Sequence, residues 1–248
     1  MYRRGMHINW YMLISSLTGF LVSVFAHSIL PILGINTDTL IFENTANIIF
    51  LILVAAVPSA LYFLLETDFR EFKENTFNKV SVRQIIKYIG IALILWCACT
   101  VLNSVINGWL YKIGFEQVQQ LEQTEDTAAL IAGFVSTCVV APVTEEFFYR
   151  GVIVSGFANK GKAVAVILSS FLFALAHGSV TIFAMPLIYG IIFSLIAIKT
   201  KSLLPSIVMH AVCNILSWII LNADLIGINV EIAGYVVMAA GLAGIAAM

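Results

Sequence analysis

Apolar runs close to twenty residues long recur along this chain, separated by short polar breaks, and that spacing limits what it can become. A helix needs about 20 apolar residues to cross the hydrocarbon of a bilayer. Of the 248 residues, 60% are hydrophobic and only 11% charged, against roughly 25% charged in a soluble domain. The expected fold class is therefore all-α: a polytopic membrane protein, a bundle of about eight transmembrane helices. Hydropathy places the spans at 8–33, 45–66, 85–112, 128–157, 162–178, 181–199, 203–222 and 227–247.

The charges supply an independent test of that count. Arg3 and Arg4, the set Arg70, Lys73, Lys79, Arg83 and Lys87, then Lys160 with Lys162, and Lys199 with Lys201 fall at every second membrane face. The intervening loops carry Asp38 and Glu43, then Glu116, Glu122, Glu125 and Asp126, then Asp224. Only Lys112 and Arg150 depart from the alternation. Under the positive-inside rule both termini are expected in the cytoplasm. Arg3 and Arg4 precede a long apolar stretch without a small-residue cleavage site, so it reads as a retained first helix rather than a signal peptide.

The formal net charge of −1, with no basic patch, gives no reason to expect a nucleic-acid partner. Cys97, Cys99, Cys138 and Cys213 all lie in apolar runs and read as small buried hydrophobes. Residues 67–84 mix Phe69, Phe72 and Phe77 with charges of both signs; they read either as an amphipathic helix on the cytoplasmic face or as a solvated loop. No repeat or linker divides the chain, so one integral membrane domain over 1–248 is expected.

Ionisable residues inside spans cost about 2.5–3.5 kcal/mol each near the centre and mark functional sites by default. Here they are Glu145, Glu146 and Arg150 in the fourth span, His177 in the fifth and His210 in the seventh; His27 and Glu231 sit toward outer ends and read as interfacial. At about 1.5 Å per residue, Glu145 and His177 both lie on the order of 20 Å from the cytoplasmic ends of their helices, with His210 at roughly 13 Å and Asn214 one turn deeper. Glu146 and Arg150, four apart, share a helix face and can pair. Glu145, about 100° around an α-helix from Glu146, has no such partner and is the candidate general base. Phe173 and His177 share a face, as do His210 and Asn214.

The stretches "EEFFYR" (Glu145 to Arg150), "FALAH" (Phe173 to His177) and "HAVCN" (His210 to Asn214) resemble the EExxxR, FxxxH and HxxxN motifs of the CAAX protease and bacteriocin-processing family, also called the Abi or type II CAAX prenyl endopeptidase family. The motif core spans about 128–222. The resemblance implies an eight-helix bundle with an intramembrane active site and peptide-bond hydrolysis. Glu145 would activate water, with His177 positioning it or shuttling its proton, and His210 and Asn214 would stabilise the oxyanion. Glu146 and Arg150 would hold the helix and the local field.

The implied substrate is a peptide or membrane protein in the bilayer, of prenylated or of bacteriocin or signal-peptide type. The setting expected from the short loops is a bacterial cytoplasmic membrane. The competing readings are a non-proteolytic immunity or regulatory protein that binds a peptide or protein partner, and a proton-coupled transporter. The family is commonly classed with metalloproteases, yet the chain has no HExxH. A zinc site would need His177, His210 and Glu145 or Glu146. Because Asn214 is a poor zinc ligand, the expectation adopted is a glutamate-activated water without a tightly bound metal.

Overall fold

The structure, a computed structural model, describes residues 14–15, 17–19, 21–22, 24–65, 69–115, 126–223, 225–227 and 229. Its helices are α1 (residues 24–32), α2 (Leu40–Leu65), α3 (Phe69–Thr76), α4 (Val82–Lys112), α5 (Thr127–Gly156), α6 (Lys162–Ala176), α7 (Ala184–Thr200) and α8 (Leu204–Leu221). No strand occurs among the described residues. The chain is an all-α polytopic membrane protein.

Polar punctuation sets several helix starts. Ser81 and Gln84 form a reciprocal capping box that opens α4. At α5 the Asp126 carboxylate accepts the Ala128 N–H at 2.9 Å. Large apolar side chains remain exposed along the long helices, among them Leu64, Val101, Val105, Ile131 and Val139. In a bilayer those faces meet lipid, where exposure carries no hydrophobic penalty.

Six of the expected spans coincide with helices to within a few residues. The expected first span is described in part and ends in helix at Ile32. The last, 227–247, lies outside the described residues apart from 227 and 229, as do Glu231 and the side chain of His27. Among the described residues four helices are long and apolar enough to cross a membrane: Leu40–Leu64, Val82–Lys112, Thr127–Gly156 and Leu204–Leu221. The spans expected at 162–178 and 181–199 are shorter helices of 15 and 17 residues. Hydropathy ran each of them two residues long, Val180, Ile182 and Phe183 keeping residues 177–183 partly apolar. Gly178, at φ +67°, nevertheless ends α6 there, and α7 does not begin until Ala184. The two short helices pack tightly: a Cβ on Gly190 would meet Ser170 Cα at 2.8 Å.

The segment read as either amphipathic helix or loop contains α3, whose Phe72 is buried. Its ring lies 4.7 Å from that of Phe63 and 6.0 Å from that of Phe147. Beyond α3 the chain pairs with the turn between α7 and α8, where Leu203 N–H donates to Thr76 O at 2.9 Å and Asn78 N–H to Lys201 O at 3.0 Å. This clasp ties the Phe147 end of α5 to the start of α8. All four cysteines are free, three of them buried and Cys97 partly so.

Among the described residues, two of the long helices carry a proline well inside them. Pro58 lies inside α2, and Pro142 lies inside α5, between two wide π-helical stretches, Val135–Val140 and Glu146–Ile153. π-turns inside an α-helix are rare and frequent at functional sites. A proline lacks the N–H its turn requires and clashes with the carbonyl four residues back, so a wider winding beside it relieves a real strain.

Candidate functional site

Glu146 and Arg150 are both buried, and Arg150 Nη1 donates to Glu146 Oε1 at 2.8 Å. The i,i+4 spacing places them on one face, as an α-helical reading requires. Oε1 also accepts from His210 Nδ1 at 2.9 Å, a contact 64 residues away in sequence. A carboxylate facing a guanidinium is ionised and can only accept, so Nδ1 carries the hydrogen and the imidazole ring is fixed in place. Its other nitrogen, Nε2, lies 3.8 Å from Glu145 Oε2.

That contact corrects the expectation that Glu145 stands without a partner. Adjacent carboxylates diverge around the helix, but the two nitrogens of an imidazole also point apart, so one ring from α8 reaches both. The Glu145 side chain keeps 22% of its surface while that of Glu146 keeps 0%. Glu145 is thus the carboxylate that a substrate or water can reach.

Arg150 Nε and Nη2 are buried without a hydrogen-bond partner among the described residues. The guanidinium carbon instead lies 4.2 Å over the ring of Phe173, with Phe193 at 5.6 Å and Tyr149 at 5.9 Å. Aromatic faces attract a cation most where water is excluded.

Phe173 organises the rest. Its ring centroid is 4.8 Å from His177 and 5.7 Å from His210, both edge to face. No ion pair or hydrogen bond joins His177 to Glu145, Glu146 or His210 among the described residues. His177 closes α6 as its C-cap rather than lying within a helix. Its Nδ1 donates to Phe173 O at 2.8 Å. A carbonyl only accepts, so in the neutral ring Nε2 keeps a lone pair for a proton.

Asn214, one turn along α8 from His210, donates from Nδ2 to Thr137 O of α5 at 2.8 Å. The expected site residues therefore divide into Glu145, Glu146, Arg150 and His210 in direct contact, Asn214 bonded to the glutamate helix eight residues before Glu145, and His177 in ring contact with Phe173. Sequence reading passed over Phe193, Tyr149, Thr137 and Pro142. Pro142 was the available signal, a helix breaker three residues before a buried carboxylate.

No group of three His, Cys, Asp or Glu side chains is gathered closely enough to hold a metal among the described residues. Nδ1 is engaged in both His210 and His177, by Glu146 and by Phe173 O, which leaves Nε2 as the ring nitrogen each could offer a ligand.

Residues 127–216, just over a third of the chain, match the family model described as type II CAAX prenyl endopeptidase Rce1-like. Over those residues the chain is similar to that family. No curated protein and no solved structure matched the chain. The matched segment runs from the start of α5 into α8, and so encloses every residue of the site described above. The family so described is one of prenyl endopeptidases, and over this segment the chain is similar to it.

Proposed function

We propose that the chain is an intramembrane endopeptidase that cleaves a peptide bond of a membrane-associated substrate, of prenylated or of bacteriocin or signal-peptide type. The observation that supports this most is the bracketing of one imidazole by two unlike carboxylates, one sealed and one reachable. Glu145 takes a proton from water as its oxygen attacks the carbonyl carbon. His210, held at Nδ1 by Glu146, acts as the imidazolium and donates its Nε2–H to the carbonyl oxygen as charge develops there. Such donors are worth most when fixed in advance in a water-poor site. His177, with a lone pair at Nε2, relays the proton toward the leaving amine. Asn214 supplies an amide N–H to the same oxygen, and Glu146 with Arg150 maintains the frame. The C–N bond breaks, giving a carboxylate and an amine.

The proposed setting is a bacterial cytoplasmic membrane with both termini in the cytoplasm. Reporter fusions after residues 75 and 201 should then read cytoplasm and one at residue 122 the outside. Activity is tested by offering purified protein a peptide library beside Glu145→Ala. Cleavage by the unaltered chain alone supports the proposal, and equal cleavage by both defeats it. The proposed reaction needs no tightly bound metal. Stoichiometric zinc, lost together with activity in His177→Ala and His210→Ala, would overturn that part.

A further inference from the structure

In the π-helical stretch Val135–Val140 the helix bonds each carbonyl to the N–H five residues on, and Ala141 N–H accordingly donates to Ser136 O. The next rung would join residue 142 to Thr137 O. Residue 142 is proline and has no N–H. The α-type alternative for Thr137 O, Ala141 N–H, is already spent on Ser136. Neither donor that its own helix could offer is therefore available to the Thr137 carbonyl. Asn214 of α8 fills the place, with Nδ2 2.8 Å from that oxygen.

We propose that Pro142 is a positioning residue: by withholding an N–H it leaves the Thr137 carbonyl to hold the Asn214 amide. The carbonyl can only accept, so it fixes which end of the amide faces α5, and one N–H of the NH₂ group remains for a ligand. The same bond docks α8 on α5 at Thr137, eight residues before Glu145, and one turn along α8 from His210. Base and imidazole thereby acquire a common reference point. In lipid an unsatisfied carbonyl is costly, so the opened turn and the asparagine stabilise each other.

The same device occurs elsewhere in the molecule. Pro58 leaves Val54 O without its i+4 donor, and the Ser15 hydroxyl donates to that oxygen at 3.0 Å. A proline-freed carbonyl paired with a side chain from another helix is thus a recurring joint in this chain. At Pro142 the joint sits beside the two glutamates.

The inference about catalysis rests on the hydrolase reading; the inference about the bond does not, and the experiment separates them. Pro142→Ala returns a backbone N–H to compete for Thr137 O. The side-chain amide signal of Asn214 in ¹⁵N-labelled protein, assigned by its loss in Asn214→Ala, should shift and lose its protection from solvent exchange. kcat on a cleaved peptide should fall about tenfold with KM little changed and the melting temperature not lowered, because alanine suits a helix better than proline. Asn214→Ala should cost several-fold less in the Pro142→Ala background than alone. An unshifted amide signal, or a Pro142→Ala protein with unaltered kcat, overturns the proposal. So do fully additive effects of the two substitutions. If the unaltered chain cleaves no peptide, the hydrolase reading fails, while the amide signal still decides for or against the Thr137–Pro142–Asn214 joint.

Discussion

The turns opened by Pro58 and Pro142 begin from the same defect and end with different consequences. At Pro58, α2 stays α-helical and the freed Val54 carbonyl is met by a hydroxyl from the first helical segment. Around Pro142 the helix widens on both sides, and the freed carbonyl is met by the amide of a residue one turn from His210. A helix crossing lipid cannot leave a backbone group unmet, so each proline requires a donor from outside its helix. The first donor fastens two helices together. The second also fixes an amide one turn along α8 from His210. Where a backbone irregularity is repaired thus matters as much as the irregularity itself.

If chemistry gathers at the Pro142 turn alone, substitutions there and at the Pro58 turn should separate cleanly. The largest effect is expected for Glu145→Gln, which removes the reachable carboxylate. Peptide cleavage should vanish while protein level and melting temperature stay near those of the unaltered chain, and a fully active variant would contradict the assignment. Glu146→Gln comes next: it leaves Arg150 buried without its counter-charge, and breaking a buried pair costs about 3–5 kcal/mol. Its signature is poor accumulation and a lower denaturation midpoint in detergent, whatever the activity of the surviving fraction.

On the other side, Ser15→Ala strips the Val54 carbonyl of its donor. An unmet buried acceptor costs about 1–3 kcal/mol, measurable as lost stability with kcat per folded molecule unchanged. The smallest effect belongs to Pro58→Ala, which closes the α2 ladder from within. It should leave kcat alone and reduce the cost of Ser15→Ala when the two are combined. A Pro58→Ala protein with a depressed kcat would erase the contrast between the two turns.

Much of the architecture was legible because it depends on local spacing. Runs of apolar residues gave α4 and α5 to within three residues of their observed ends, and a four-residue interval placed Arg150 against Glu146. Other features depend on contacts that no local spacing encodes. His210 meets Glu146 across 64 residues and Asn214 meets Thr137 across 77. The ring of Phe173 contacts both His177 and His210, which depth arithmetic put at different levels. The brevity of α6 and α7 escaped hydropathy because Gly178 breaks the helix through its φ angle of +67°, not through polarity.

That brevity bears on the solvent around the protein. Helices of 15 and 17 residues reach only about 22 and 26 Å at 1.5 Å per residue, against roughly 30 Å of hydrocarbon. Lipid beside them meets an apolar wall about 4–8 Å too low, and bilayers answer such mismatch by thinning locally. His177 stands at the end of the shorter helix. The membrane itself thus becomes part of the approach to the site, since a thinned leaflet shortens the distance that water and a polar peptide segment must travel to reach it.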